Sequence, residues 1–109
     1  MSPSYPKWIE NLLDHLHAHH PEQIYLFGSW ARDEADELSD VDLAMIMKSD
    51  EPFLERSATM MKSLPTNVGA VDLLVYTPEE FRQMLLDGNA FVEMLIEEGK
   101  VIYGRDSDN

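Results

Sequence analysis

The sequence predicts an α/β or α+β chain in which helices pack on a small mixed sheet. Three observations predict it. Helix and strand signals alternate in the order α-β-α-β-α-β-α-α-β. Proline, glycine and capping residues punctuate most of the boundaries. The composition, 44% apolar and 27% charged, is that of a packed globular chain and not of a disordered one.

Each element has its own signal. From Pro6 to His19, Trp8, Ile9, Leu12, Leu13 and Leu16 recur at three- and four-residue steps, which predicts a helix opened by Pro6 and closed by Pro21. Ile24–Phe27 is a short apolar strand stopped by Gly28. Ser29–Ala35 reads as a short helix with Ser29 as its N-cap. Six of the ten residues from Asp33 to Asp42 are acidic, so an exposed connection follows. Asp42–Met47 is a second strand, and Asp50–Leu64 a second long helix with Asp50 as its cap, Pro52 in its first turn and Pro65 at its end.

Val71–Tyr76 has strong β character. Thr77-Pro78-Glu79-Glu80 is a capping box with proline at the first helical position, and its helix extends to about Leu86. Gly88-Asn89 breaks that helix, Asn89 caps a last one to Glu98, and Gly99 suits a left-handed terminator. Val101–Tyr103 is a final short strand, and 104–109 reads as a flexible polar tail.

A chain of 109 residues suggests a single domain over 1–109, with its core in about 6–103. No room is left there for a second, substrate-binding domain. Eight Lys and Arg face 21 Asp and Glu, a net charge of −13. Such a chain repels nucleic-acid backbones and anionic membranes, so a phosphate ligand needs cations and a protein partner should be basic. The absence of cysteine removes disulfides, thiolate nucleophiles and thiolate zinc sites. With no signal peptide or spanning run visible, the expectation is a cytoplasmic protein.

Three segments carry chemistry. In Phe27-Gly28-Ser29-Trp30-Ala31-Arg32 a strand ends, a glycine turns the chain and a helix opens, which makes a phosphate site of amides, the Ser29 hydroxyl and the Arg32 guanidinium. In Ser39-Asp40-Val41-Asp42-Leu43 two carboxylates two apart on a strand share a face, with Cα atoms about 6.5–7 Å apart, and suit Mg²⁺. Asp72 lies in the apolar run Val71-Asp72-Leu73-Leu74-Val75, where a carboxylate needs a partner, a metal or water at a sheet edge. It shares a face with Leu74 and Tyr76, and it joins the other two carboxylates if its strand lies beside theirs. Each segment also has a plain reading: a capped turn, a solvated strand entry, an edge aspartate.

Together these segments form G-S-x10-D-x-D followed by a later Val-Asp-Leu-Leu-Val strand. That pattern resembles the DNA polymerase β-like nucleotidyltransferase superfamily, and within it the minimal nucleotidyltransferase (MNT) proteins. The position of Arg32 and the ending Glu98-Gly99-Lys100-Val101-Ile102-Tyr103 also resemble that group, so the likeness runs from about Glu22 to Tyr103. The resemblance implies a short mixed sheet with helices mainly on one face. It implies that Gly28 and Ser29 hold a triphosphate, with Arg32 near it. It implies that Asp40, Asp42 and Asp72 are catalytic and ligate Mg²⁺, two ions in all, with ATP as nucleotide donor. It further implies an antitoxin that transfers AMP to a hydroxyl of a HEPN ribonuclease toxin encoded by the adjacent gene.

Other features fit bland roles. The His15, His17, His19 and His20 cluster suits a solvated helix end better than a metal site. Met45, Met47, Met60, Met61, Met84 and Met94 suit core filling, with a share open to a partner groove. Trp30 fits packing and base contact equally, and Tyr5 and Trp8 fit core and interface equally. The alternative function is a non-catalytic antitoxin that acts by binding alone. A small-molecule transferase is disfavoured by the missing acceptor domain, and a template-directed polymerase by the charge.

Overall fold

The computed structural model describes residues 5–36 and 38–103. The expected tail at 104–109 lies outside them. The elements are α1 (Lys7–His17), β1 (Gln23–Phe27), β2 (Val41–Ile46), α2 (Phe53–Lys62), β3 (Val71–Tyr76), α3 (Pro78–Leu86), α4 (Ala90–Glu98) and β4 (Lys100–Tyr103). A 3₁₀ turn over Gly28–Trp30 follows β1. The predicted order of helices and strands holds, with this turn in place of the second predicted helix.

The strands form one sheet in the order β3-β2-β1-β4. β1 pairs antiparallel with β2 and β4, whereas β2 and β3 run parallel, so the sheet is mixed. The period of two along each strand divides its residues between two apolar layers. Ile24, Leu26, Val41, Leu43, Met45, Leu73 and Val75 join Ile9, Leu12 and Leu16 of α1 and Met60 of α2 in the larger core. Tyr25, Ala44 and Ile46 join Leu95 of α4 on the other face, with Phe27, Tyr76, Phe81, Phe91 and Met94 around them. The deeper packing thus lies under α1 and α2, and α3 and α4 clothe the second face.

Helix starts follow local chemistry where the signal is strong. Thr77 accepts from the Glu80 amide at 3.1 Å and Glu80 accepts from the Thr77 amide at 2.9 Å, the reciprocal box predicted for α3. Asn89 caps α4 through the amides of Phe91 and Val92. α2 is shorter than predicted. It begins at Phe53 with extended Pro52 as its N-cap, and Asp50 does not cap it. The residue before a proline disfavours the helical region, so helix cannot reach back through Glu51. Gly99 is extended (φ −74°, ψ 158°), not left-handed. Space explains it: a Cβ there would sit 2.5 Å from the Leu95 carbonyl oxygen.

The outer edge of β3 is closed by side chains of α2. Arg56 donates to the Val75 carbonyl at 2.9 Å and Ser57 Oγ accepts from the Val75 amide at 3.1 Å. α2 therefore supplies both hydrogen bonds that a fifth strand would make to Val75. Arg56 is only 5% exposed and also grips the Glu80 carboxylate (2.6 and 3.2 Å) and the Glu51 carbonyl (2.7 Å). That network ties α2, β3 and the start of α3 together.

Candidate active site

The parallel pairing of β2 with β3 decides the site. It sets Asp42 directly opposite Asp72, and the antiparallel pairing of β1 sets Phe27 opposite Asp42. Both carboxylates therefore stand on the second face, next to the strand end that leads into Gly28. Burial pushes the Asp42 carboxyl above its usual range, and the charge of Asp72, a hydrogen bond with it and the charge of Asp40 push the same way, against a smaller pull from Arg32. Two carboxyl groups this close share a proton or need a cation.

Asp72 satisfies both readings of its sequence context. β3 is an edge strand and Asp72 is exposed to water, yet it faces Asp42. Asp40 sits just before β2, exposed, close enough for its charge to be felt at Asp42. The approach to Asp40 is shaped by Asp36, whose carboxylate accepts from the Leu38 amide at 2.9 Å and from the Ser39 hydroxyl at 3.2 Å. Among the described residues no group of three His, Asp or Glu side chains is gathered as a ready-made metal cage. The structure thus brings Asp42 and Asp72 together and leaves Asp40 as a neighbour at the strand entry.

Gly28 has φ +74°, as its turn requires. A Cβ on it would collide with Asp42 Oδ2, so the glycine also makes room for that carboxylate. Ser29 lies inside the 3₁₀ turn and is not an N-cap; Phe27 holds that place, with no side-chain cap. The predicted helix from 29 to 35 is absent. Asp33 adopts φ +59°, which breaks any helix through it, and the crowded carboxylates around it favour separation. The hydroxyl of Ser29 has no hydrogen bond among the described residues. Arg32 pairs with Glu34 at 2.8 Å; the charges of Glu98 and Asp42 also reach it, and together they hold its proton more firmly.

Phe27, Asp42, Met61, Asp72, Leu73, Leu74 and Phe91 line a pocket of about 370 Å³. Its carboxylates sit in an apolar, partly aromatic wall: Phe91 packs edge-on against Phe27 at 5.3 Å, and Tyr76 lies beyond it at 6.2 Å. Two other hollows, one of about 120 Å³ at Leu13, Asp14 and His17 and one of about 370 Å³ at His19, His20 and Lys48, include none of the three aspartates.

Trp30 packs against the larger core and donates from its indole to the Ser39 carbonyl at 3.4 Å, so it is a packing residue that ties the turn to the strand entry. Tyr5 and Trp8 pack against the same core. His15 and His19 stack edge-on at 5.4 Å. Met61 borders the carboxylate pocket, and Met45 and Met60 are core.

Sequence reasoning missed Phe27, Phe91 and Met61 as pocket walls and Arg56 as a buried anchor. Phe27 comes opposite Asp42 only through the antiparallel register of β1 with β2, which the long connection between them leaves open in the sequence. Arg56 falls on the stripe Phe53, Arg56, Met60, Leu64, the spacing of a buried helix face.

The chain matches the family Polymerase beta, Nucleotidyltransferase over residues 9–108. It belongs to that family. Its fold is shared with a protein of Sulfolobus solfataricus described as a candidate nucleotidyltransferase, at TM-score 0.61 and 18% identity over 92% of this chain and 80% of the other. It is shared also with a toxin-antitoxin protein crystallised with AMP-PNP, at TM-score 0.53 and 21% identity over 91% and 76%. No curated protein matches the sequence. Among the described residues no helix is long and apolar enough to cross a membrane.

The donor set fits Mg²⁺. It consists of hard carboxylate oxygens held close enough to repel one another, with the Asp42 carboxylate in the space that Gly28 leaves by having no Cβ. Asp42 and Asp72, with Asp40 beside them, are the residues that would hold it.

Proposed function

We propose that the chain is a Mg²⁺-dependent nucleotidyltransferase that moves AMP from ATP onto a hydroxyl of a partner protein. We place it in the cytoplasm as the antitoxin of a HEPN ribonuclease toxin. Family membership supports nucleotidyl transfer. The observation that carries the reading is Asp42 in register with Asp72, beside the Gly28 turn whose missing Cβ makes room for the Asp42 carboxylate. The protein acceptor is supported by the net charge of −13, suited to a basic partner, and by the likeness to a toxin-antitoxin protein crystallised with AMP-PNP.

The chain's own groups divide the work. The Gly28 turn admits the triphosphate, with the Ser29 hydroxyl and the Arg32 guanidinium as donors to it. Arg32 leaves Glu34 to do so. Asp72, exposed at the sheet edge, meets the acceptor and takes its proton. The acceptor oxygen bonds to the α-phosphorus, the bond to pyrophosphate breaks, and the proton passes from Asp72 to water. Bound Mg²⁺ supplies charge neutralisation of the phosphates and a lowered hydroxyl pKa.

The test is incubation with Mg²⁺ and the protein encoded by the adjacent gene, using ATP labelled at the α- or the γ-phosphate. Label from the α position alone should appear on the partner, and Asp42→Asn should abolish it. A stable complex that never takes up label contradicts transfer and favours the antitoxin that acts by binding alone.

A further inference from the structure

α1, α2 and α4 each bury two or more residues, and α3 is built differently. α3 buries no residue completely. It is held by its capping box, by the Glu80–Arg56 pair and by Phe81 stacked on Tyr25 at 5.7 Å. Leucines that could have turned inward face water instead: Leu86 is 74% exposed and Leu85 44%, and Ile96 on α4 is 49% exposed. Leu38 and, on α2, Leu54 and Met61 are exposed as well, but three of the six exposed large apolar residues among the described ones fall on this one hairpin, a concentration that suits a contact surface.

Charge says what kind of contact. From Pro78 to Glu98 the hairpin carries six carboxylates against one cation, Arg82. Asp87, Glu93 and Glu97 are all exposed on it. Two copies of the chain would bring carboxylates against carboxylates, so self-association through this face is opposed. A partner with an apolar pocket among Lys and Arg is favoured. Position says why it matters: Phe91 of α4 lines the pocket that holds Asp42 and Asp72. A protein seated on the hairpin is therefore next to the proposed site of transfer.

We infer that the α3–α4 hairpin is the docking surface for a basic acceptor protein, through Leu85, Leu86 and Ile96 within an acidic surround. The inference rests on the reading of the site as one that modifies a protein.

The experiment measures affinity for the purified product of the adjacent gene, alongside α-labelled ATP transfer in the same samples. The variants are Leu85→Ser/Leu86→Ser, Glu93→Lys/Glu97→Lys and, as a control outside the hairpin, the exposed Leu54→Ser. Circular dichroism and melting establish that each folds. Both hairpin variants should bind about tenfold or more weakly, and the control should bind as the parent does. Added salt should weaken the parental complex. Parental affinity in both hairpin variants overturns the inference, as does a parent that pairs with itself through this face or does not bind the product at all. A complex that needs the hairpin but takes up no label keeps the docking surface and removes the transferase reading. Transfer indifferent to both hairpin variants does the reverse.

Discussion

At Asp42 three constraints meet. Its carboxylate faces Asp72 across the parallel ladder, feels Asp40 along the chain and fills the space that Gly28 leaves by having no Cβ. Removing one like charge from such a group relieves repulsion when no cation is bound. Asp42→Asn should therefore melt no lower than the parent without metal, lose any rise in melting temperature produced by Mg²⁺, and fail to transfer. Thermal melts with and without Mg²⁺, beside a label-transfer assay, check all three. Gly28→Val fails differently. A β-branched residue at φ +74° is strained, and its Cβ enters the Asp42 carboxylate, so the variant should lose both stability and nucleotide use. Ser29→Ala should leave the melt unchanged, since the hydroxyl has no hydrogen-bond partner among the described residues, and should cost about 1–3 kcal/mol in transition-state binding. Arg32→Ala should lower kcat/KM by at least as much.

At the scale of elements, the edge strand β3 depends on α2. Ser57→Ala leaves the Val75 amide without its partner and should lower stability by about 1 kcal/mol in denaturant melts. Glu80→Gln should cost more, about 2 kcal/mol, because it removes the anion opposite a buried guanidinium, although Glu80 itself is 40% exposed. The hydrogen bond from Arg56 holds the Glu80 carboxyl below its usual range. A depressed carboxylate stabilises the fold above its unfolded value, about 4.3, and that contribution is lost as pH falls through the lowered folded value. The stability gap between parent and Glu80→Gln should thus be full near neutral pH and shrink in acid, as melts across pH will read.

The same elements show what was legible beforehand. β3 and the start of α3 were readable to the residue, because a short apolar run bounded by turn signals and a capping box act locally. The pairing of Asp42 with Asp72 was readable as a condition, since parity gives the face but only the strand order makes the strands neighbours. The supposed helix after Ser29 was not, because Gly28 at positive φ passes the N-cap place to Phe27 and Asp33 turns the chain again. Gly99 was assigned to the wrong cause: contact with the Leu95 carbonyl, and not a left-handed turn, excludes a side chain. Arg56 was missed because its partners lie 19 and 24 residues away along the chain.

For the whole molecule, a net charge of −13 sets the terms of any phosphate chemistry. The chain offers an anionic ligand a glycine turn with the Asp42 carboxylate against it, one nearby guanidinium already paired with Glu34, and further carboxylates that repel it. Nucleotide binding should therefore be conditional on a divalent cation. The direct measurement is calorimetric titration of AMP-PNP into the parent and into Asp42→Asn, each with Mg²⁺ and with chelator. The parent should bind one nucleotide with Mg²⁺ and none with chelator, and Asp42→Asn should bind none in either. Equal binding in chelator, or equal binding by Asp42→Asn, would contradict a site organised by Asp42 and Asp72 around a cation.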